Sequence, residues 1–227
     1  MLKHILPLVD GIEHKTYVEA YGGSAVVLLN KRPSPIEVYN DLQKGVVNFF
    51  SVLRSREKTE RLQELLRLTP VSREAFYESL RVEGEDDIMQ AYYFFVRARQ
   101  AFSGGGQKRS TWSHTITLSH GGMGAVNSRW SGAIDNLMNI STRLSRVQIE
   151  CADALRVIRH YDTPNTLFYL DPPYVSSTRV DEQVYSYEMD EHDHEQLVSL
   201  LLTLQGSIVL SGYAHPVYEE LEKHGWE

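Results

Sequence analysis

Thr166-Leu167-Phe168-Tyr169-Leu170-Asp171-Pro172-Pro173-Tyr174 decides how this chain is read. The first five residues form a short apolar run, the pattern of a parallel strand buried on both faces. Such a strand delivers Asp171 at its carboxyl end, the edge on which open α/β sheets build their sites. Two consecutive prolines fix φ at about −65° and donate no backbone hydrogen bonds, so the chain leaves the sheet rigidly. The Asp171 carboxylate and the Pro172 carbonyl remain as acceptors on a stiff turn, and Tyr174 offers a flat face to a planar ring. This set suits chemistry on an exocyclic amino group. An aromatic amine is a poor nucleophile because its lone pair is delocalised into the ring. Two acceptors gripping both N–H groups favour a pyramidal nitrogen whose lone pair can point at an electrophile. An ordinary Asp-Pro-Pro turn is the plain alternative, and the apolar strand in front of it favours the site.

Two segments upstream agree. In Tyr17-Val18-Glu19-Ala20-Tyr21-Gly22-Gly23-Ser24-Ala25-Val26 an apolar strand ends in an acid, an aromatic and two glycines before a helix start. The glycines allow close backbone approach, and the helix N-terminus attracts an anionic group. Ile36-Glu37-Val38-Tyr39-Asn40-Asp41 is a second short strand ending in an acid. It lies about twenty residues after the glycines, the spacing at which nucleoside-binding α/β folds place an acceptor for ribose hydroxyls. Capping the following helix is the other role open to Asp41.

Together these segments resemble the D12 class of adenine-specific DNA methyltransferases, from about Leu2 to Trp226. The specific points are Glu19 to Gly23, Asn40-Asp41 and Asp171 to Tyr174. Cys151-Ala152-Asp153-Ala154-Leu155 looks like the family's acidic turn beside the cofactor adenine, and Ile208 to Tyr213 like its later strand. The resemblance implies a Rossmann-like α/β methyltransferase sheet with a mainly helical target-recognition insertion. It implies S-adenosylmethionine as cofactor, methyl transfer to N6 of adenine, and double-stranded DNA carrying a flipped adenine as partner. Asp171, Pro172 and Tyr174 are then catalytic. Glu19, Tyr21, Gly22, Gly23, Asp41, Asp153 and Asp171 hold the cofactor. The family's opening Gly-Gly-Lys segment and its carboxyl-terminal continuation have no counterpart here, so the sequence reads as a trimmed or shortened, phage-derived copy. Two other readings stand beside this one. One is a methyltransferase for another amino group, and the other a catalytically impaired copy that binds DNA.

At 227 residues and a net charge of −7 the chain is no generic polyanion binder. Charge is nevertheless unevenly placed. Arg97, Arg99, Lys108, Arg109, Arg129, Arg143 and Arg146 share their stretch with the single acid Asp135, the footprint of a local phosphate-contacting surface. Lys108, Arg109 and Arg129 are the candidate DNA contacts, the first two on a Gly-rich loop tipped by Trp112. The strand–helix alternation is interrupted over 56–145, which reads as the insertion; 1–55 and 146–227 read as the catalytic domain. Within the insertion 72–102 reads as continuous helix, with the aromatic run from Tyr92 to Phe95 as core, and 130–144 as a further helix. A lone cysteine, Cys151, excludes an internal disulfide. The absence of a signal peptide or long apolar span points to a reducing cytoplasm, for a protein that is bacterial or phage-encoded. No Cys/His spacing suits a metal, His192-Asp193-His194 falling at a helix start.

Overall fold

The structure, a computed structural model, describes residues 2–102, 111–115, 117–119, 122–175 and 187–226. Five strands form one parallel sheet: β1 (Thr16–Glu19), β2 (Ile36–Asn40), β3 (Val147–Glu150), β4 (Thr166–Leu170) and β5 (Ser207–Leu210). Their order is β3-β2-β1-β4-β5. The fold is therefore the doubly wound, Rossmann-like sheet expected from the sequence. The chain runs outward from β1 through β2 to β3, then returns to the other side of β1 for β4 and β5. Its direction of winding reverses between β1 and β4, where such sheets leave a crevice at their carboxyl ends.

The central strands are apolar because both faces are covered. Every residue of β4 is buried, whereas the edge strand β5 is partly exposed. Successive side chains point to opposite faces. Val18, Val38, Phe168 and Leu170 pack in one cluster with Val157 and Ile158 of α9 (Ala154–Tyr161) and Leu197 and Leu201 of α10 (Glu191–Leu201). Each such side chain contributes about 1.5–3 kcal/mol by leaving water. The alternate residues Tyr17 and Tyr39 are also fully buried. Two further helices, α1 (Leu2–Gly11) and α2 (Val26–Asn30), flank β1, and α11 (Glu219–Lys223) closes the chain after β5. Under β1 and β2 lies a buried ion pair. Lys31 Nζ stands 2.9 Å from Glu37 Oε1, both side chains fully enclosed, and also donates to Ser34 Oγ at 2.7 Å.

The chain divides into two compact units, 1–44 with 146–227, and 45–145. The sheet belongs to the first. The division falls after the first residue of α3 (Lys44–Leu53), so nearly all of that helix goes with the second unit, although the sequence boundary at residue 55 groups it with the first. Described residues of the second unit are mainly helical: α4 (Arg56–Arg67), α5 (Arg73–Ser79), α6 (Asp87–Gln100), α7 (Ala125–Asp135) and α8 (Leu137–Leu144) follow α3. The expected continuous helix over 72–102 is broken. α5 stops at Ser79, and α6 restarts where Asp86 accepts the Met89 N–H at 2.7 Å. Between them a Cβ on Gly84 would fall 2.2 Å from the Gln90 nitrogen, so the tight re-entry requires glycine. The helix expected over 130–144 begins earlier, at Ala125, and splits at Asn136. Of the aromatic run expected as core, Phe95 is 3% exposed and packs on Phe49 and Trp130, whereas Tyr92, Tyr93 and Phe94 are only partly buried.

Candidate active site

Because paired residues are in step along parallel strands, the loops leaving the sheet emerge at one edge. Glu19 pairs with Tyr39 and with Tyr169, Asn40 with Glu150, and Leu170 with Leu210. At that edge a cavity of about 310 Å³ opens, lined from the loops after β1, β2, β3 and β4 and from the start of α10. Tyr21, Gly23, Asp41, Asp153 and Asp171 all line it. Glu19, Gly22, Pro172 and Tyr174 do not, and each has a definite place nearby.

The loop after β1 is built around two glycines with different tasks. A Cβ on Gly22 would lie 2.2 Å from the Tyr39 ring, so the ring packs where a side chain would be. Gly23 takes φ +47°, in the left-handed region, and space beside it is open. Its carbonyl accepts from the Tyr39 hydroxyl at 2.7 Å and its N–H donates to Asp41 Oδ2 at 2.8 Å. Asp41 Oδ1 accepts the Gln43 N–H at 2.7 Å. The carboxylate thus ties two loops together ahead of α3 and retains further lone pairs facing the cavity.

Glu19 is 2% exposed, and its Oε1 accepts from the Tyr17 hydroxyl at 2.8 Å and from the Leu28 N–H at 2.6 Å. The anion at the start of α2 is therefore the protein's own carboxylate rather than a ligand's. Burial raises the Glu19 carboxyl to about 7; the two hydrogen bonds and Lys31 pull it down, and Asp171 adds to the rise. Asn40, wholly buried, was not given a role by its sequence context. Its Nδ2 donates to the Ala20 carbonyl at 2.8 Å and the Ala152 carbonyl at 3.0 Å, while its Oδ1 accepts the Ala152 N–H at 2.9 Å. It clamps together the ends of β1, β2 and β3. The sequence marks it only as the polar residue that closes an apolar strand and as half of the Asn40-Asp41 pair.

Asp153 caps α9 by accepting the Arg156 N–H at 2.9 Å. What reads as an acidic turn is thus also a helix start. Leu155, Pro173 and Met189 add apolar lining that sequence reasoning did not single out. Asp171 is partly buried, and burial raises its carboxyl above the usual carboxylate range; the hydrogen bond from the Tyr174 hydroxyl opposes the rise. Tyr174 donates to Asp171 Oδ1 at 2.9 Å, and its ring meets Tyr213 edge-on at 5.0 Å. Buried Pro172 carries the chain between them.

Of the expected DNA contacts, Arg129 is exposed on α7, its Nε donating to the Ala125 carbonyl at 3.2 Å. Lys108 and Arg109 lie outside the described residues. His194 is buried against Tyr218, its Nδ1 2.9 Å from the Tyr218 hydroxyl, and Asp193 completes a capping box with Asp190. Among the described residues no group of three or more His, Cys, Asp or Glu could hold a metal ion, and no helix is long and apolar enough to cross a membrane. A family model described as D12 class N6 adenine-specific DNA methyltransferase matches residues 1–220. No curated protein matches the chain.

Proposed function

The chain belongs to the D12 class of N6 adenine-specific DNA methyltransferases, and we propose that it takes its methyl group from S-adenosylmethionine held in the 310 Å³ cavity. Its reaction is the methylation of adenine N6 in DNA. The observation that carries the cofactor assignment is the meeting of Asp41, Asp153 and Asp171 in that single cavity, from three separate loops. Ribose hydroxyls are donors and need acceptors, and Asp41 keeps acceptor capacity after taking two backbone N–H groups. Asp153 lines the same cavity, with Leu155 and Tyr21 adding an apolar setting suited to a purine face.

When bound, the cofactor supplies a sulfonium methyl as electrophile. The chain's own part is positioning. The Asp171 carboxylate and the Pro172 carbonyl accept the two hydrogens of the adenine amino group and turn its lone pair outward. N6 cannot be approached in line while the base is stacked in a duplex, so the target adenine is flipped out, its ring held by Tyr174. Lys108, Arg109 and Arg129 contact phosphates of double-stranded DNA and set the register. Asp41→Ala tests the cofactor half. Losing an acceptor for buried hydroxyls costs about 1–3 kcal/mol, so calorimetry should show S-adenosylmethionine binding weakened roughly ten- to a hundredfold. Unchanged affinity would leave Asp41 as a loop tie only.

A further inference from the structure

We propose that the cavity selects its occupant by charge, with Asp193 as the specificity-determining residue that favours the positively charged methyl donor over the neutral product left behind. The proposal rests on the reading of this cavity as the S-adenosylmethionine site. Among the described residues it is lined by Asp41, Asp153, Asp171, Glu188 and Asp193, and by no Lys, Arg or His. Asp41 accepts from the Gly23 and Gln43 N–H groups, Asp153 from the Arg156 N–H, and Asp193 from the Asp190 N–H at 3.0 Å. All four donors are backbone groups. Among the described residues none of these three carboxylates forms an ion pair. Like charges facing one space repel, and protein screens them less than water does. An occupant with a positive charge relieves that repulsion.

Asp193 is firmly placed for this task. In the capping box of α10 its own N–H donates to Asp190 Oδ1 at 2.8 Å while its Oδ2 accepts in return, so backbone and side chain are both pinned. Among the described residues its Oδ1 takes no hydrogen bond, which leaves that oxygen to a ligand. Asp41 and Asp193 are half-buried, so salt screens them less than it screens surface acids. At neutral pH S-adenosylmethionine carries a sulfonium, an ammonium and a carboxylate, and is positive overall. Transfer breaks the bond between sulfur and the methyl carbon, and the electron pair stays on sulfur. The methyl bonds to N6, which releases a proton. S-adenosylhomocysteine keeps the ammonium and the carboxylate and is neutral overall. The cavity thus loses its counter-charge with the methyl group, and the field that draws the cofactor in no longer holds what remains.

Calorimetry tests this without turnover, using S-adenosylmethionine, S-adenosylhomocysteine and sinefungin, in which a carbon bearing a charged amine replaces the methylated sulfur. The native protein should bind the two cations about tenfold or more tighter than the neutral product. Raising salt from about 0.05 to about 0.5 M should narrow that gap. Asp193→Asn is isosteric and can still cap α10, and it should weaken both cations by about fivefold to thirtyfold. Its affinity for the product should change by less than about threefold. Asp193→Glu keeps both the charge and the capping box and should retain the gap. A native protein that binds the product as tightly as the cofactor would overturn the proposal. So would an Asp193→Asn variant that alters none of the three ligands, or all three equally. In each of these cases the cavity remains the cofactor site. Failure of the native protein to bind any of the three would remove that reading as well.

Discussion

Glu19 holds a carboxyl group where solvent cannot reach, and its protonation couples the stability of the fold to pH. Its carboxyl is raised by burial to about 7, from an ordinary 4.5. A group raised in the folded state prefers to stay protonated there, so its contribution to stability is complete below about pH 4.5. That contribution is lost as pH rises through about 7. A displacement of this size corresponds to roughly 3–4 kcal/mol at most. Glu19→Gln keeps an oxygen for the Leu28 N–H and the Tyr17 hydroxyl but cannot ionise. Urea unfolding of the native protein should therefore lose stability between pH 5 and 8 relative to Glu19→Gln, with the variant the more stable at pH 8. Parallel stability curves would show that Glu19 does not titrate in this window. At this scale the acids at strand ends were legible, because a carboxylate following an apolar run has few structural uses. Asp41, Asp153 and Asp171 all reach the cavity. Asn40 was not, since its partners at Ala152 lie far along the chain and no local pattern encodes them.

The loop between β1 and α2 shows how an element is shaped by what it must not contain. Gly22 and Gly23 are adjacent and chemically identical, yet only Gly22 faces an obstacle. The Tyr39 ring beside it is fully buried and its hydroxyl is held by the Gly23 carbonyl, so it has nowhere to move. Gly22→Ala should cost about 1–3 kcal/mol by overpacking and should weaken cofactor binding with it. Gly23→Ala meets no atom, and only the left-handed backbone opposes it, at about 1–2 kcal/mol. Thermal unfolding of the two variants checks this; a Gly22→Ala variant as stable as the native protein would mean that Tyr39 is not fixed. Strands and most helices of the sheet unit follow from period and apolar runs. The reading of Cys151 to Leu155 as a turn stops short of α9, although Asp153 followed by Ala154, Val157 and Ile158 is a helix start with an apolar stripe. In the second unit the break between α5 and α6 depends on a clash at Gly84 that helical propensity does not register.

Over the whole molecule, strand order turns separate motifs into one site. Glycines after β1, acids after β2 and β3, and the Asp-Pro-Pro-Tyr turn after β4 are far apart in sequence. Parallel pairing in the order β3-β2-β1-β4-β5 brings them all to one edge. The alternation of strand and helix made this arrangement legible, whereas the division into units was less so, because nothing in the composition of α3 assigns it to either. The central claim is that Asp171 drives methyl transfer to adenine N6, and it is tested by following label from S-[methyl-³H]adenosylmethionine into unmodified duplex DNA. After digestion to nucleosides the native protein should place the label in N6-methyladenine. Asp171→Ala, with its thermal unfolding unchanged, should place less than about 1% as much there, since losing such a positioned acceptor costs about 3 kcal/mol or more of transition-state stabilisation. Label in a different nucleoside, or undiminished label with Asp171→Ala, would contradict the claim.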